Sequence, residues 1–171
     1  MPTEAFRGEF YQKVDGKARV SIPAAFRRIL DGADPASAEF PRTRMIMVYG
    51  GKNRRFVECY SRAGADDLAA QVAAIPQGSR DRDRAERDLI TRSATVEIDE
   101  DGRIVLPPQV RDKLALTPEM LAAGIDAAFA GATNRIKLFR RDVYTAQSEA
   151  EDEEDAGEDA LALLSKYRTG S

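Results

Sequence analysis

Val14-Asp-Gly-Lys-Ala-Arg-Val-Ser-Ile-Pro-Ala-Ala-Phe-Arg27 and Ile98-Asp-Glu-Asp-Gly-Arg-Ile-Val-Leu-Pro-Pro-Gln-Val-Arg111 are one pattern written twice. At an offset of 84, Asp15 meets Asp99, Arg19 meets Arg103, Val20 and Ile22 meet Ile104 and Leu106, Pro23 meets Pro107 and Arg27 meets Arg111. A second match follows in the same order: Gly50-Gly-Lys-Asn-Arg54 resembles Gly131-Ala-Thr-Asn-Arg135, now at an offset of 81. Two matches in one order indicate an internal duplication. The loss of three positions puts the longer connection in the first copy, within Asp31–Arg44.

Each copy reads as a small strand-rich unit. Val14, Val20 and Ile22, like Val96, Ile98, Ile104 and Leu106, alternate with polar neighbours at the period of a half-buried strand. Asp15–Ala18 and Asp99–Gly102 interrupt them with the residues that turns prefer, so a strand, a tight turn and a strand are expected in each copy. Pro23 and Pro107 end the ladder and suit a first helical turn, with short helices expected over Ala24–Leu30 and Gln109–Leu116. Met45–Tyr49 with Arg54–Tyr60, and Ala127–Phe129 with Arg135–Phe139, form a second hairpin about each glycine-bearing loop. One copy of roughly 50 residues is too small to bury a core alone, so two copies around a pseudo-twofold should share one composite β core.

The expected organisation is a first repeat over 9–61, a helical connector over 62–92, a second repeat over 93–144 and an acidic tail over 145–171 with a short helix. In the connector, Leu68, Val72 and Ile75 mark an amphipathic helix over Asp66–Ile75, stopped by Pro76. Ser79–Arg92 follows with Arg82/Glu86, Asp83/Arg87, Arg84/Asp88 and Asp88/Arg92 at i,i+4, a pattern of a solvated charged helix. The tail places 8 acids in the 11 residues Glu149–Asp159, which repel one another and should fray or disorder. Leu161, Leu163, Leu164 and Tyr167 then suggest the terminal helix.

Composition removes several chemistries. The 171 residues carry no His, one Cys and no Trp. Without His, a Ser-His-Asp or Cys-His site is impossible, and the usual zinc sets cannot close. One Cys forms no intrachain disulfide, and Cys59, beside Phe56 and Val57, reads as an inert buried thiol. Asp99-Glu-Asp-Gly102 opens like a calcium loop, but the twelfth position is Val110 where a bidentate Glu is needed. No metal, cofactor or phosphoester-cleaving carboxylate pair is expected. Met1 to Glu9 holds Glu4, Arg7 and Glu9 and no apolar run, so no signal peptide is expected, nor is any stretch apolar enough to span a membrane. The expected setting is the cytosol.

Charge is unevenly placed. The net of −3 arises in the tail: residues 149–171 hold 8 acids and 2 bases, leaving 24 bases and 21 acids in residues 1–148. Residues 1–62 carry 12 bases and 7 acids, a net of +5 that suits a polyanionic partner.

The turn and strand of each copy resemble the DxKGRxxxP signature of the AbrB-like (SpoVT-AbrB) swapped-hairpin DNA-binding proteins. Two copies in one chain, with Phe6-Arg7-Gly8 just ahead, are similar to the MraZ family of that superfamily, over about residues 6–144. The resemblance implies an α+β fold of tandem swapped-hairpin halves around one small β-barrel core. It also implies a cytoplasmic, nucleoid-associated repressor of the division and cell-wall gene cluster. Its partners would be double-stranded DNA, bound at promoter direct repeats ahead of its own operon, and itself, as a ring-like homo-oligomer.

Carried over, the family's DNA-contacting cations fall on Lys17 and Arg19 and its motif aspartate on Asp15; Asp99 and Arg103 match in the second copy. Two departures stand out: Ala18 where the family has Gly, and Asp101 where the first copy has Lys17. If position 18 needs a positive φ, Ala there costs about 1 kcal/mol.

Arg19 has the chemistry to chelate guanine O6 and N7, and Lys17 to neutralise a phosphate or read a base. A two-residue spacing would project both from one sheet edge. Asp15 is expected to pair with Arg19 and orient it. Lys13, Asp15, Lys17 and Arg19 sum to +2, whereas Glu97, Asp99, Glu100, Asp101 and Arg103 sum to −3. The first copy is therefore expected to face DNA, and the second to serve the core or subunit contacts. Arg7, Lys13 and Arg27 are second-line phosphate contacts. The alternative is an antitoxin-type module whose tail binds a toxin.

Overall fold

Apolar alternation builds strands around both Asp-led turns, yet the strands on either side of a turn do not pair with each other. The computed structural model describes residues 4–168; the ends of the amino-terminal stretch and of the 145–171 tail lie outside the described residues. Along the chain run β1 (Glu9–Val14), β2 (Arg19–Ser21), α1 (Ala24–Gly32), β3 (Arg44–Val48), β4 (Val57–Ser61), α2 (Arg62–Ala73) and α3 (Arg80–Ala85), the last continued by a π-helical turn (Glu86–Thr91). There follow β5 (Ser93–Glu97), β6 (Arg103–Val105), α4 (Pro108–Lys113), α5 (Pro118–Ala123), β7 (Ile125–Gly131), β8 (Ile136–Arg140), α6 (Arg141–Glu154) and α7 (Ala160–Leu163), closed by a 3-10 turn (Leu164–Tyr167).

The strands interleave the two copies. Among the described residues, β1-β7-β8-β4-β3-β5 form an antiparallel six-stranded sheet, and β2 pairs with β6 in a separate ladder. β1, β3 and β4 correspond to β5, β7 and β8 of the other copy, so the order reads the same from either edge with the copies exchanged. The ladder repeats this symmetry: Arg19 lies opposite Val105, Val20 opposite Ile104 and Ser21 opposite Arg103. The next rungs match too, Ile22 N–H donating to Gly102 O at 2.8 Å and Leu106 N–H to Ala18 O at 2.9 Å. The seam of the large sheet is β4 against β8, with Glu58 opposite Lys137. Buried side chains of both copies merge into one core, including Val14, Ile22, Phe26, Met45 and Met47 with Ile104, Leu106, Phe129 and Leu138. Phe26 meets Phe6 and Phe10 edge-on at 5.6 and 5.2 Å. The fold is α+β.

Several boundaries move from their sequence positions for identifiable reasons. α2 starts four residues early because the Ser61 side chain caps it, accepting from Gly64 N–H at 3.0 Å. α4 stops at Lys113 because Ala115 turns the chain at φ 54°. The short α5 then begins at a Thr117 cap that accepts from Met120 N–H at 3.2 Å, with Pro118 in its first turn. The longer first-copy connection is pinned by Asp34, which takes the Arg44 guanidinium at 2.7 and 3.0 Å and its N–H at 2.9 Å. Those bonds hold the Asp34 carboxyl below the usual range, the Arg44 side chain contributing most.

The repeated loop glycines have a steric cause. A Cβ on Gly131 would lie 2.5 Å from the Phe6 carbonyl oxygen, and one on Gly50 only 2.1 Å from that of Asp88 in the π-helical turn. Both neighbours are backbone and cannot rotate away. Gly50→Ala is accordingly expected to destabilise by about 2 kcal/mol, an overpacking cost, measured as a shift in urea midpoint at constant slope. An unchanged midpoint would show that the loop does not seat on that turn.

The chain divides into two compact units, Met1–Arg141 and Asp142–Ser171. In the second, the acidic run expected to fray continues helix α6 to Glu154. Glutamate is a good helix former, and a Gln147–Glu151 hydrogen bond of 3.0 Å supports the exposed face. Leu161, Leu164 and Tyr167 stand exposed in the terminal segment.

Candidate nucleic-acid interface

The two turns share their backbone hydrogen bonds and differ only at the guanidinium. Asp15 N–H donates to Arg19 O at 3.0 Å and Asp99 N–H to Arg103 O at 2.8 Å. Each aspartate side chain then bridges its turn. Asp15 Oδ1 accepts from Lys17 and Arg19 N–H at 3.0 and 2.8 Å, and Asp99 Oδ1 from Asp101 and Arg103 N–H at 2.9 Å each. The Arg19 N–H is the largest influence holding the Asp15 carboxyl below its ordinary value, and the Arg103 N–H does the same for Asp99. The turn corner needs a positive φ, 61° at Ala18 and 77° at Gly102. Alanine therefore does occupy a left-handed position, and its fully buried methyl offsets part of the backbone cost.

Lys17 is exposed but sits in the turn, before β2 begins at Arg19. The expected common strand edge for Lys17 and Arg19 is thus replaced by a turn that projects Lys17 beside the ladder. Arg19 opens the ladder, its Nε donating to Asp15 Oδ2 at 2.7 Å while 36% of its side chain stays exposed. Val20 and Ile104 point inward, so Arg19, Ser21, Arg103 and Val105 share the outward face. Ser21 and Val105 carry no motif signal; the alternation places Val105 outward, and it is 57% exposed. Arg103 lies on that same face, although the charge sums assigned its turn to the core or to subunit contacts. Its guanidinium is divided between Asp99 at 3.4 Å and Asp101 at 3.2 Å.

The second-line cations are dispersed. Arg7 is exposed near the edge strand β1. Lys13, exposed on β1, lies against Gly124, where a Cβ would sit 2.6 Å from its Cε. Arg27 crosses to the other copy and packs on Gly102, where a Cβ would lie 1.6 Å from its Nη1. With Arg42, 3.6 Å from Glu100, it brings first-copy cations to a cleft still dominated by Asp31, Asp99, Glu100 and Asp101. The cationic turn and the acidic turn therefore remain unequal.

Cys59 is fully buried, and burial pushes its thiol up, away from reactive thiolate. Among the described residues no group of three or more His, Cys, Asp or Glu is placed to hold a metal, and no helix is long and apolar enough to cross a membrane.

A duplicated strand-turn-strand scaffold carries arginines paired with aspartates on a shared exposed ladder. The family described as "MraZ protein, putative antitoxin-like" matches residues 89–164. Transcriptional regulator MraZ of one Cereibacter sphaeroides strain is 47% identical over 163 residues, 94% of this chain and 96% of that protein. That of Cereibacter sphaeroides strain KD131 is 45% identical over equal shares, and that of Ruegeria pomeroyi 43% identical over 121 residues, 70% of this chain and 72% of that protein. The chain belongs to the MraZ family, a family of transcriptional regulators rather than enzymes.

Proposed function

We propose that the protein is a sequence-specific, DNA-binding repressor that reads promoter direct repeats through the β2–β6 ladder. The observation that carries this reading is the outward face of that ladder, with Arg19, Ser21, Arg103 and Val105 on one side and the exposed ammonium of Lys17 beside it. A two-stranded ribbon fits a major groove, where a guanidinium reads guanine and an apolar tip contacts a thymine methyl. Asp15 holds Arg19 in place before DNA arrives, and the first turn leads because the second surrounds Arg103 with carboxylates. The swapped-hairpin barrel reading is supported by the interleaved strand order.

A single ladder offers few cations, so tight binding calls for several subunits on several repeats, as in a ring-like homo-oligomer. The regulated DNA would lie ahead of the protein's own gene, in the division and cell-wall cluster, in the nucleoid of the cytoplasm. The test is footprinting on that upstream DNA, followed by titration of one repeat against three or four in tandem. The single repeat is expected to bind at least about 100-fold more weakly; equal affinities would remove the avidity argument.

The exposed Leu161, Leu164 and Tyr167 favour one second reading, an antitoxin-type module that adds a toxin partner through this segment. Co-purification of a defined toxin, lost on truncation before residue 160, is its test.

A further inference from the structure

The charged helix after Pro76 keeps two of the four ion pairs its sequence implies, Arg82/Glu86 and Asp88/Arg92, while Asp83/Arg87 and Arg84/Asp88 do not form among the described residues. Arg82 meets Glu86 at 3.5 Å as spaced, but the chain widens at Glu86 into the π-helical turn, closed by Arg92 N–H donating to Arg87 O at 3.1 Å. Beyond that point Asp88 is shared between Arg87 and Arg92, both at 3.4 Å. Arg84, four residues before Asp88, is left without a counter-charge among the described residues, as is Lys52 on the facing loop. π-helical turns of this kind recur at functional sites.

Between that turn and the Gly50–Asn53 loop lies an open cleft of about 520 Å³, lined by Lys52, Arg54, Arg84, Arg87 and Arg92 with Asp88 as the lone acid. Arg54 is engaged by Glu58, so four cations face one carboxylate, a net of +3. Lys52, Arg84, Arg87 and Arg92 are all exposed. The loop is fixed on both sides, by the Gly50 backbone packed on Asp88 and by Lys113, whose Nζ donates to Gly51 O at 2.6 Å. Burial first, then the Arg54 charge, push the Lys113 ammonium down, with Arg92 adding and Asp88 opposing. The remaining lining residues, Gly51 and Asn53, offer no aromatic or apolar wall on which a base could stack.

We propose that this cleft is a phosphate-chain site that grips the backbone of a nucleic acid without reading its bases. It is separate from the ladder. β5 pairs with β3 so that Glu97, leading into the second turn, lies opposite Arg44, while Ser93, beside the cleft, lies opposite Val48. The cleft and that turn thus stand at opposite ends of a five-residue strand, about 17 Å apart by strand rise. The cleft would hold DNA flanking the recognised repeat, so the proposal rests on the DNA-binding reading while assigning a different surface.

The test uses the full chain, Arg84→Gln/Arg87→Gln, and Arg19→Ala, each checked by thermal unfolding. Inorganic tripolyphosphate is titrated calorimetrically, and a random-sequence duplex by fluorescence anisotropy across a salt series. The double variant is expected to bind tripolyphosphate at least about tenfold more weakly and to lower the salt slope on random duplex by roughly 2, one unit per lost phosphate contact. Its preference for operator over random duplex should stay unchanged, whereas Arg19→Ala should lose that preference and keep tripolyphosphate binding. Loss of operator preference in the Arg84/Arg87 variant would refute the division of labour. Absent or unaltered tripolyphosphate binding overturns the site. Loss of tripolyphosphate binding with an unchanged duplex slope overturns its assignment to nucleic acid, leaving a free polyphosphate as the ligand. Failure of the operator preference in the unmodified chain would count against the ladder reading alone.

Discussion

Arg19→Ala is expected to lower affinity for the operator by at least about 100-fold, roughly 2.7 kcal/mol, the upper range for one bidentate base contact. Arg103→Ala is expected to lower it by less than about fivefold, as for a peripheral phosphate contact. The two arginines occupy equivalent positions on one exposed face, so a difference between them cannot come from backbone geometry. It comes from what surrounds each guanidinium. Arg19 has one aspartate at 2.7 Å and the cation Lys17 two residues before it. Arg103 is divided between two aspartates, with Glu100 in the same turn. A phosphate approaching the second turn meets carboxylates first.

Truncation of Arg19 should leave the turn standing. Asp15 keeps its backbone bonds to the N–H groups of residues 17 and 19, and the lost ion pair, more than one-third exposed on both sides, is screened by solvent and adds little to stability. An unchanged unfolding temperature beside lost operator binding would separate recognition from folding. Arg19→Lys sharpens the distinction, because it keeps the charge and discards the fork. It should retain binding to random duplex while losing preference for the operator. Equal losses from Arg19→Ala and Arg103→Ala in a gel-shift titration would mean that both turns enter the groove, and the charge argument would fail.

The duplication was legible because its residues do local work that no other type does as well. Asp15 and Asp99 bridge their turns, and Gly50 and Gly131 leave room for a crossing backbone. The second hairpin of each copy was legible and forms, β3 with β4 and β7 with β8, but the partners of the strands flanking the Asp-led turns were not. Period-two alternation says which side of a strand is buried but not which strand lies beside it, and local hairpins were the simplest pairing. The structure instead exchanges strands between copies, a long-range choice decided by the shared core. The cleft beside the connector was hidden for a related reason. Spacings of four residues imply ion pairs wherever the helix keeps its α register, but at the π-helical turn Asp88 turns to Arg87 and Arg92 and leaves Arg84 without it. Val105 lacked a role because an outward apolar residue on a three-residue strand acquires meaning only from the arginine opposite it.

Glu58→Ala is expected to destabilise by about 3 kcal/mol, lowering the unfolding temperature by roughly 10 °C. Glu58 lies on β4 at the seam between the copies, only 5% exposed, and accepts from Arg54 and from Arg135. Those two arginines are equivalents at the offset of 81, whereas the equivalent of Glu58 itself is Phe139. One buried carboxylate therefore serves both loops, and the duplication is broken where a second acid would place two like charges at the seam. Removing it leaves two guanidiniums facing each other across the seam without a counter-charge. The arginines keep about 30% of their side chains exposed and can rehydrate in part, which sets the expected loss at the low end for a broken buried pair. Arg135 also retains Ala132 O and Asn134 Oδ1 at 3.0 and 3.1 Å, so its loop should loosen rather than unfold. Glu58→Gln, which keeps volume and an acceptor but no charge, should lie between the two proteins. Chemical denaturation of all three proteins decides the matter: a loss under about 1 kcal/mol for Glu58→Ala would show that strand pairing alone holds β4 to β8.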